Sequence, residues 1–175
     1  MPNANIADSL AERAAVFDVV ARFCERVDEY DYVGAAAAFT EDCFIDYGPG
    51  RGGPLHGRDA FAERLRTGQG QFRLTHHHLG QSRINVDASR TTADATTYVT
   101  AWHEDWAGAR STVRLRYVDT FVLTGQGWLM SSRRVHAAGV DGFLEDVDWN
   151  WVPRAKPERA TQVANVGGTE EDHHG

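Results

Sequence analysis

Four long strand-forming runs in the second part of the chain place the strongest constraint on its fold. Short turn signals rich in Gly, Asp, Ser and Thr separate these runs, which are themselves dense in β-branched and aromatic residues. This spacing is typical of consecutive antiparallel strands. The predicted strands are Gln71–Val86, Thr92–Trp106, Ser111–Thr124 and Gly127–Ala137.

Helix signals precede these runs. In chain order the sequence predicts a helix capped by Asp8 or Ser9 and ending near Asp28, a short helix at 33–39, a strand at 41–47, a loop at 48–54 and a helix at 58–66. Helices followed by long antiparallel strands predict an α+β fold, in which the helices pack on one face of a curved sheet. Such a sheet makes a cone with one open end, across which apolar residues after Gly139 are expected to dock.

Two carboxylates continue the apolar stripe of the first helix. Apolar residues recur at helical spacing from Leu10 to Val27, and the same spacing continued from Cys24 reaches Asp28 and Asp31. A helix rarely directs carboxylates at its core face, because burying an unpaired charge is expensive. Either each aspartate has a cationic or hydrogen-bonding partner, or the face opens into a cavity where a carboxylate is used.

Three successive histidines lie in the first long strand, where neighbouring residues alternate between the two faces. Either His77 alone points inward, or His76 and His78 do. An inward pair could bind a metal ion with an added aspartate oxygen. An inward His77 paired with Asp28 or Asp31 would instead form a general acid/base, because a carboxylate fixes the imidazole tautomer and raises its basicity. Histidines that are exposed, or simply satisfied in the core, are the third possibility. No metal ion is predicted, because no third well-spaced set of ligands stands out.

One histidine and two arginines in the later strands are further candidates for the interior. His103 lies late in the second long strand, where an isolated histidine is more often structural than catalytic. Arg133 and Arg134 face opposite sides of their strand, so one of them can reach the interior. There it would need a carboxylate such as Asp28 or Asp31. A buried ion pair that locks helix to sheet is therefore the alternative to catalysis.

The composition excludes several functional classes. A net charge of −7 without a basic cluster argues against nucleic acid as a partner. The start of the chain lacks a signal-peptide pattern, no apolar stretch approaches the roughly 18 residues of a membrane span, and Cys24 and Cys43 read as buried free thiols. We therefore expect a cytoplasmic protein with neither a membrane nor a nucleic acid as partner. Residues 1–152 are expected to form a single domain, and residues 153–175 a disordered acidic tail.

Several short motifs occur in an order that is similar to one known family. They are VDEYD at 27–31, FTED at 39–42 leading into IDY at 45–47, HGRD at 56–59, THHHLG at 75–80 and the Gly127-Trp128 pair. Across roughly residues 8–137 the chain resembles the SnoaL-like branch of the nuclear-transport-factor-2-like (NTF2-like) superfamily, which also contains scytalone dehydratase. The resemblance implies an NTF2-like cone, in which a curved, mostly antiparallel sheet wraps around N-terminal helices.

The resemblance to scytalone dehydratase also implies a set of site residues. By position, its tyrosine–aspartate pair, its strand tyrosine and its two sheet histidines look like Tyr30, Asp31, Tyr47, His77 and His103. Such enzymes use neither a metal nor an organic cofactor. The histidine, oriented by the aspartate, removes a proton alpha to a carbonyl group that the tyrosines polarise, and the second histidine is a further proton relay. In the related dehydrohalogenases the orienting aspartate falls at Asp28, so both aspartates are candidates.

One departure from the family pattern bears on the substrate. Leu115 and Tyr117 stand where scytalone dehydratase has a serine and an asparagine for its substrate, so the same substrate is not expected. The leading interpretation is a homo-oligomeric, cofactor-independent lyase or isomerase, dimeric or trimeric, that acts on a small, largely apolar, carbonyl-bearing ring compound. The alternative is a non-catalytic ligand-binding or assembly subunit, similar to the small subunits of ring-hydroxylating dioxygenases, which share this fold.

Overall fold

A computed structural model describes residues 3–154, which form three α-helices and one six-stranded sheet. The helices are α1 (Asn3–Asp28), α2 (Tyr32–Ala36) and α3 (Arg58–Gln69). The strands are β1 (Phe39–Asp46), β2 (Pro54–His56), β3 (Phe72–Val86), β4 (Thr92–Asp105), β5 (Arg110–Thr124) and β6 (Gly127–Gly142). A short 3₁₀ turn, Pro49–Arg51, lies between β1 and β2.

The sheet confirms the predicted α+β architecture. Its strands lie in the order β2-β1-β6-β5-β4-β3, and β1 runs parallel to β6 whereas every other neighbouring pair is antiparallel. The four strands predicted in the second half of the chain are β3 to β6, and each pairs with the next. The sheet is curved and does not close into a barrel.

Burial alternates along the strands, so the sheet has one concave, buried face and one convex, exposed face. Every second residue is buried in β4 from Ala93 to His103 and in β5 from Ser111 to Phe121. The buried residues of α1, such as Phe23, belong to the same hydrophobic core as these inward side chains. The concave face therefore carries both the core and any site enclosed by the cone.

Several element boundaries differ from the predictions, and β6 extends to Gly142 and α3 to Gln69, past their predicted ends. α1 begins before Asp8 and Ser9, which lie inside the helix and do not cap it. α2 ends at Ala36. Phe39 was predicted to be helical but begins β1, because it pairs with Met130 of β6 and its ring is fully buried. Tertiary pairing here overrides the helix preference of the alanine run. The short strand β2, which was not predicted, begins at the last residue of the predicted loop and pairs with β1.

Arg133 is the arginine that reaches the interior, but it does not pair with the first helix. Its Nε and Nη2 donate to the two carboxylate oxygens of Asp119 at 2.8 and 2.7 Å, and both side chains are fully buried. Asp119 is its register partner on β5, so the ion pair ties two neighbouring strands together. The predicted ion pair of this arginine with Asp28 or Asp31 is therefore wrong, and Arg134 is exposed.

The segment after β6 folds back against the loop that follows β1. Leu144 and Trp149 are buried, and Trp149 Nε1 donates to the Leu144 carbonyl at 3.2 Å. The Gly50 backbone N–H donates to the Asp148 carbonyl at 2.8 Å, which fastens this segment to the 3₁₀ turn. The expected docking of apolar residues is thus observed for Leu144 and Trp149, whereas Phe143 and Trp151 are exposed.

Residues 1–2 and 155–175 lie outside the described structure, so the tail predicted at 153–175 falls almost wholly outside it. Between residues 3 and 154, no helix is both long and apolar enough to cross a lipid bilayer. Cys24 and Cys43 are buried and unpaired, as their apolar contexts predict.

Candidate active site

The C-terminal end of α1 brings Asp28 against β3. Asp28 Oδ1 lies 2.7 Å from His77 Nδ1, and the Thr75 hydroxyl donates to the same oxygen at 2.6 Å. The other carboxylate oxygen, Oδ2, accepts the backbone N–H of His77 at 2.9 Å. These three contacts fix the carboxylate in place. Because Nδ1 faces Asp28, Nε2 of His77 is the ring nitrogen left for proton transfer.

Strand alternation explains why only the middle histidine of the cluster faces α1. His76 and His78 are exposed on the convex side, whereas the side chain of His77 is 5% exposed. The metal alternative required His76 and His78 to point inward, so the structure contradicts that arrangement. Among the residues that the structure describes, no group of three or more His, Cys, Asp or Glu is placed to hold a metal ion.

Asp28 is ionised at neutral pH although it is partly buried. Burial raises the pKa of its carboxyl, but the hydrogen bond and charge of His77 and the Thr75 hydroxyl outweigh burial and lower the pKa below its ordinary value. An ionised Asp28 accepts a hydrogen bond from His77 Nδ1–H and so holds the ring in the tautomer whose Nε2 can accept a proton. This geometry is that of an oriented general base.

Asp31, the other predicted partner of the histidine, has a local role instead. Its Oδ1 accepts the Gly34 backbone N–H at 2.8 Å, which caps the N-terminus of α2. Its Oδ2 pairs with Arg26 of α1, and the Gly34 N–H together with Arg26 lowers the pKa of the Asp31 carboxyl. Asp31 is therefore not the aspartate that contacts His77, and that contact belongs to Asp28.

Tyr30 lies in the turn between α1 and α2. Its φ of 63° is in the left-handed region, which allows the chain to reverse after the helix ends. The hydroxyl donates to the backbone carbonyls of Phe72, at 3.1 Å, and Arg73, and the residue is 42% exposed. This contact ties the turn to the start of β3. The structure therefore does not support the predicted role of Tyr30 as a polarising hydroxyl.

His103 lies beside His77 on the neighbouring strand. Their ring centroids are 5.9 Å apart, and His103 also packs on Phe72 at 4.5 Å. Burial first, and then the charges of His77 and Arg51, lowers the pKa of His103 to about 3, so the imidazole is neutral at physiological pH. Its Nδ1 is buried and has no hydrogen-bond partner within residues 3–154. A ligand in this region would find that nitrogen available.

Tyr47 follows β1 and lines a cavity of about 410 Å³. Phe61 forms an apolar part of the wall, with its ring centroid 6.0 Å from that of Tyr47, and Arg51 and Gln69 contribute polar groups. Burial raises the pKa of the Tyr47 hydroxyl, which therefore keeps its proton and can act as a hydrogen-bond donor. The cavity is in the size range of small-molecule sites.

This cavity lies beside the histidine pair and not directly over it. Neither His77 nor His103 contributes to its lining. Arg51 links the two regions, because its side chain lines the cavity and its positive charge helps to lower the pKa of His103. The histidine pair and the cavity are thus related through Arg51, and no side chain of the pair lines the cavity.

Leu115 and Tyr117, which depart from the family pattern, both face this interior. They are 7% and 2% exposed on the concave side of β5. The ring of Tyr117 lies against the Arg133 guanidinium, with the guanidinium carbon 3.8 Å from the ring centroid. The departure therefore concerns inward positions of the cone.

Three residues that the structure brings to this region were not among the candidates predicted from the sequence. Thr75 lies two residues before His77 on a strand, so alternation alone places it on the same face. Arg51 and Gln69 had no comparable signal, because one lies in a loop rich in Gly and Pro and the other at the end of α3.

Comparison with known proteins finds one family model. Its description is "SnoaL-like domain", and it matches residues 8–134. No curated protein matches the chain. A solved structure of a provisionally assigned scytalone dehydratase from Novosphingobium aromaticivorans is 26% identical, with a TM-score of 0.73 over 89% of this chain and 100% of that chain.

Two further solved structures are more distant in sequence. ActVI-ORFA from Streptomyces coelicolor is 22% identical, with a TM-score of 0.62 over 71% of this chain and 96% of that chain. A hexachlorocyclohexane dehydrochlorinase from Novosphingobium barchaimii is 16% identical, with a TM-score of 0.68 over 85% of this chain and 99% of that chain. These likenesses concern the fold alone, and together with the family model they confirm the predicted NTF2-like architecture.

Proposed function

The chain belongs to the SnoaL-like domain family, and from this premise we propose that it is a cofactor-independent lyase or isomerase. The observation that carries the proposal is the contact between Asp28 and His77 on the concave face of the sheet. Similar structures named as a dehydratase and a dehydrochlorinase support an elimination type of chemistry. The substrate class is a small, largely apolar, carbonyl-bearing ring compound.

The proposed reaction begins with proton abstraction by His77. Nε2 takes a proton from the carbon alpha to the carbonyl, and the electron pair of the broken C–H bond forms the enolate. Ionised Asp28 stabilises the resulting imidazolium through Nδ1–H. In a dehydration the proton then passes from Nε2 to the departing hydroxyl, and in an isomerisation it passes to another carbon of the substrate. The histidine is neutral again after either outcome, so no cofactor enters the balance.

Two other groups support the reacting carbonyl in this proposal. Tyr47 keeps its proton and lines the cavity, so it is the hydroxyl proposed to polarise the carbonyl oxygen. His103 is neutral, and we assign it a hydrogen bond to the substrate in place of the proton-relay role implied by the resemblance. Tyr30 and Asp31 are left with structural roles, because their polar atoms are engaged in the turn between α1 and α2.

The proposal extends to a cytoplasmic location and a homo-oligomer. The buried, unpaired thiols Cys24 and Cys43 support a reducing compartment. Exposed apolar and aromatic side chains on the convex side of the sheet, including Tyr98 and Val118, support an assembly formed through that side.

Proton exchange tests the proposal with model ketones in place of the natural substrate. The protein is incubated in D₂O with a panel of cyclic ketones such as 1-tetralone and 2-tetralone, and NMR follows deuterium entering the carbon alpha to the carbonyl. We expect His77→Gln to slow the enzyme-dependent exchange by about 100-fold or more, because a positioned general base contributes roughly that much. Asp28→Asn is expected to slow it strongly as well, because it removes the charge that orients the imidazole.

The neighbouring histidine provides a matched control. His76→Gln makes the same chemical change one residue away, on the convex side, and should leave the exchange rate unchanged. If the His77→Gln variant exchanges protons as fast as the unmodified protein, His77 is not the base. If no ketone of the panel is exchanged by any form of the protein, the non-catalytic alternative gains support.

A further inference from the structure

Arg51 is a half-buried cation that no carboxylate neutralises. Within residues 3–154, no Asp or Glu forms an ion pair with its guanidinium, although most other arginines of that range have such a partner. Burial lowers the pKa of Arg51, but an arginine remains charged at physiological pH. A desolvated charge without a counter-ion is costly in a folded protein. Its presence in an acidic chain therefore points to a role outside the fold's own stability.

The buried Arg133 shows how this fold satisfies an arginine that it uses structurally. Asp119 receives two hydrogen bonds from that guanidinium, and three aromatic rings, including that of Tyr117, lie within 5.5 Å of its carbon. Arg51 has only the ring of Trp149, at 5.9 Å. The contrast shows that the Arg51 guanidinium keeps unused donor capacity toward the cavity.

The loop after β1 holds Arg51 in a defined position. Gly48 and Gly52 flank the 3₁₀ turn with φ values of 94° and 90°, which residues with a side chain rarely adopt. The Gly50 N–H bond to Asp148 fixes the same turn against the C-terminal segment. The Arg51 side chain is thereby directed between Trp149 and α3, where it lines the cavity.

The polar side chains near Arg51 differ in whether they already have hydrogen-bond partners. Arg64, the other arginine of the lining, donates to the carbonyls of Gly53 and Gly52 at 2.6 and 3.2 Å. Gln69 differs, because its Oε1 is buried without a hydrogen-bond partner among the described residues. Two arginines of the lining, Arg51 and Arg64, thus have no carboxylate partner within residues 3–154, and of the two only Arg51 donates no hydrogen bond there. The Glu63 carboxylate of the same wall is paired with Arg66, so an anionic ligand is favoured at Arg51.

We propose that Arg51 binds an ionised oxygen group of the substrate, so that the substrate carries a carboxylate in addition to the carbonyl at which His77 acts. The planar guanidinium matches a carboxylate with two parallel N–H donors. Gln69 accepts a hydrogen bond from a hydroxyl of the same ligand. Arg51 lines the cavity, and its charge is felt at His103, so the anionic end of the ligand would lie on the side of the cavity that faces the histidine pair. Naming the ligand as substrate rests on the proposed function, whereas the anion site itself does not.

A matched pair of probes tests the anion site directly. 1-Naphthoate and 1-naphthamide have the same ring system and differ in the charge of the substituent, and calorimetry gives the dissociation constant of each. We expect the unmodified protein to bind naphthoate about 10- to 100-fold more tightly than naphthamide, because hydrogen bonds to a charged group are worth that much when partly buried. In Arg51→Gln the preference should disappear through weaker naphthoate binding, with naphthamide affinity unchanged.

Three further proteins exclude other causes of a preference. Arg22→Gln changes the net charge equally at an exposed arginine of α1 that is paired with Asp18 and does not line the cavity, and it should keep the full preference. His77→Gln should also keep it, because a loss there would place the anion on the imidazole and contradict the proposal. Arg51→Lys retains the charge without the planar fork and should retain part of the preference. If Arg51→Gln does not fold, Arg51→Lys and the NMR shift of the Arg51 guanidinium on naphthoate addition decide.

The outcomes separate this inference from the proposed function. Equal affinity for the two probes, or an undiminished preference in Arg51→Gln, overturns the anion site whatever the exchange experiment shows. Naphthoate should also inhibit ketone exchange competitively, and binding without inhibition would contradict the assignment of the anion to the substrate. If His77→Gln exchanges ketone protons at the full rate, only the assignment of His77 as the base is contradicted. The anion site is still tested, because the ratio of the two dissociation constants is measured without turnover.

Discussion

Asp28 and Asp31 show how strongly the role of a residue depends on where a helix ends. Both continue the apolar stripe of α1 in the sequence, but the helix ends at Asp28 and Asp31 becomes the N-cap of α2. Asp28 therefore contacts β3, whereas Asp31 accepts the Gly34 N–H and pairs with Arg26 at the surface. A regular helical spacing extended past the true end of a helix cannot distinguish these two roles.

This difference gives a prediction for the second aspartate. Asp31→Ala removes the N-cap hydrogen bond of α2 and should lower the melting temperature by about 2–5 °C. The same substitution should leave ketone exchange within about two-fold of the unmodified rate, since Asp31 does not contact His77. Thermal unfolding followed by circular dichroism, run beside the exchange assay, checks both parts. A loss of exchange as large as that expected for Asp28→Asn would contradict the assignment.

His103 predicts a specific dependence of stability on pH. Its folded-state pKa of about 3 lies below the ordinary value of 6.5, so the unfolded chain binds more protons between these values. The free energy of unfolding should therefore fall as the pH is lowered through this window, by up to about 1.4 kcal/mol per pH unit. His103→Leu removes the titrating group and one buried, unpaired nitrogen.

Urea unfolding at pH 7 and pH 4.5 measures this effect. The loss of stability between the two pH values should be smaller in His103→Leu than in the unmodified protein by about 2 kcal/mol. All other titrating groups are present in both the unmodified protein and His103→Leu, so their contribution cancels when the two proteins are compared. Identical pH dependence in the two proteins would show that His103 is not held neutral by its surroundings.

One buried ion pair joins the last two strands. Arg133 on β6 and Asp119 on β5 are register partners, and both are fully buried. Arg133→Met leaves the Asp119 carboxylate without its partner and should reduce the free energy of unfolding by about 3–5 kcal/mol. Asp119→Leu leaves the Arg133 guanidinium without its carboxylate partner and should reduce the free energy of unfolding by a similar amount.

The double variant distinguishes a coupled pair from two independent contributions. Arg133→Met with Asp119→Leu leaves no buried charge unpaired, so it should be more stable than either single variant. Urea denaturation of the four proteins gives the coupling free energy. Losses that simply add would mean that the two side chains are satisfied by other groups, contrary to the contacts at 2.7 and 2.8 Å.

The long elements could be predicted from the sequence, whereas the short ones could not. β3 to β6 carry many β-branched and aromatic residues between clear turns, so their local signals agree with their tertiary environment. β2 is a three-residue strand in a segment rich in Gly and Pro, and only its pairing with β1 makes it a strand. The partner of Arg133 was likewise set by register between β5 and β6, which no single strand reveals.

The cone brings together residues that are far apart in the chain. Asp28 and His77 meet because α1 lies against β3 on the concave face. The order of the long elements could be predicted, whereas the sequence left open which histidines face inward and which aspartate reaches the strand. Arg51 lines the cavity because of how its loop packs, and no sequence pattern near Arg51 indicates that packing.

The exchange rate of a double variant shows whether Asp28 and His77 act as one unit. If Asp28 acts only by orienting His77, then Asp28→Asn combined with His77→Gln should exchange ketone protons no more slowly than His77→Gln alone. That result, with both single variants slowed by about 100-fold or more, is what an oriented base predicts. Losses that multiply in the double variant, or a single variant that retains the full rate, would contradict it.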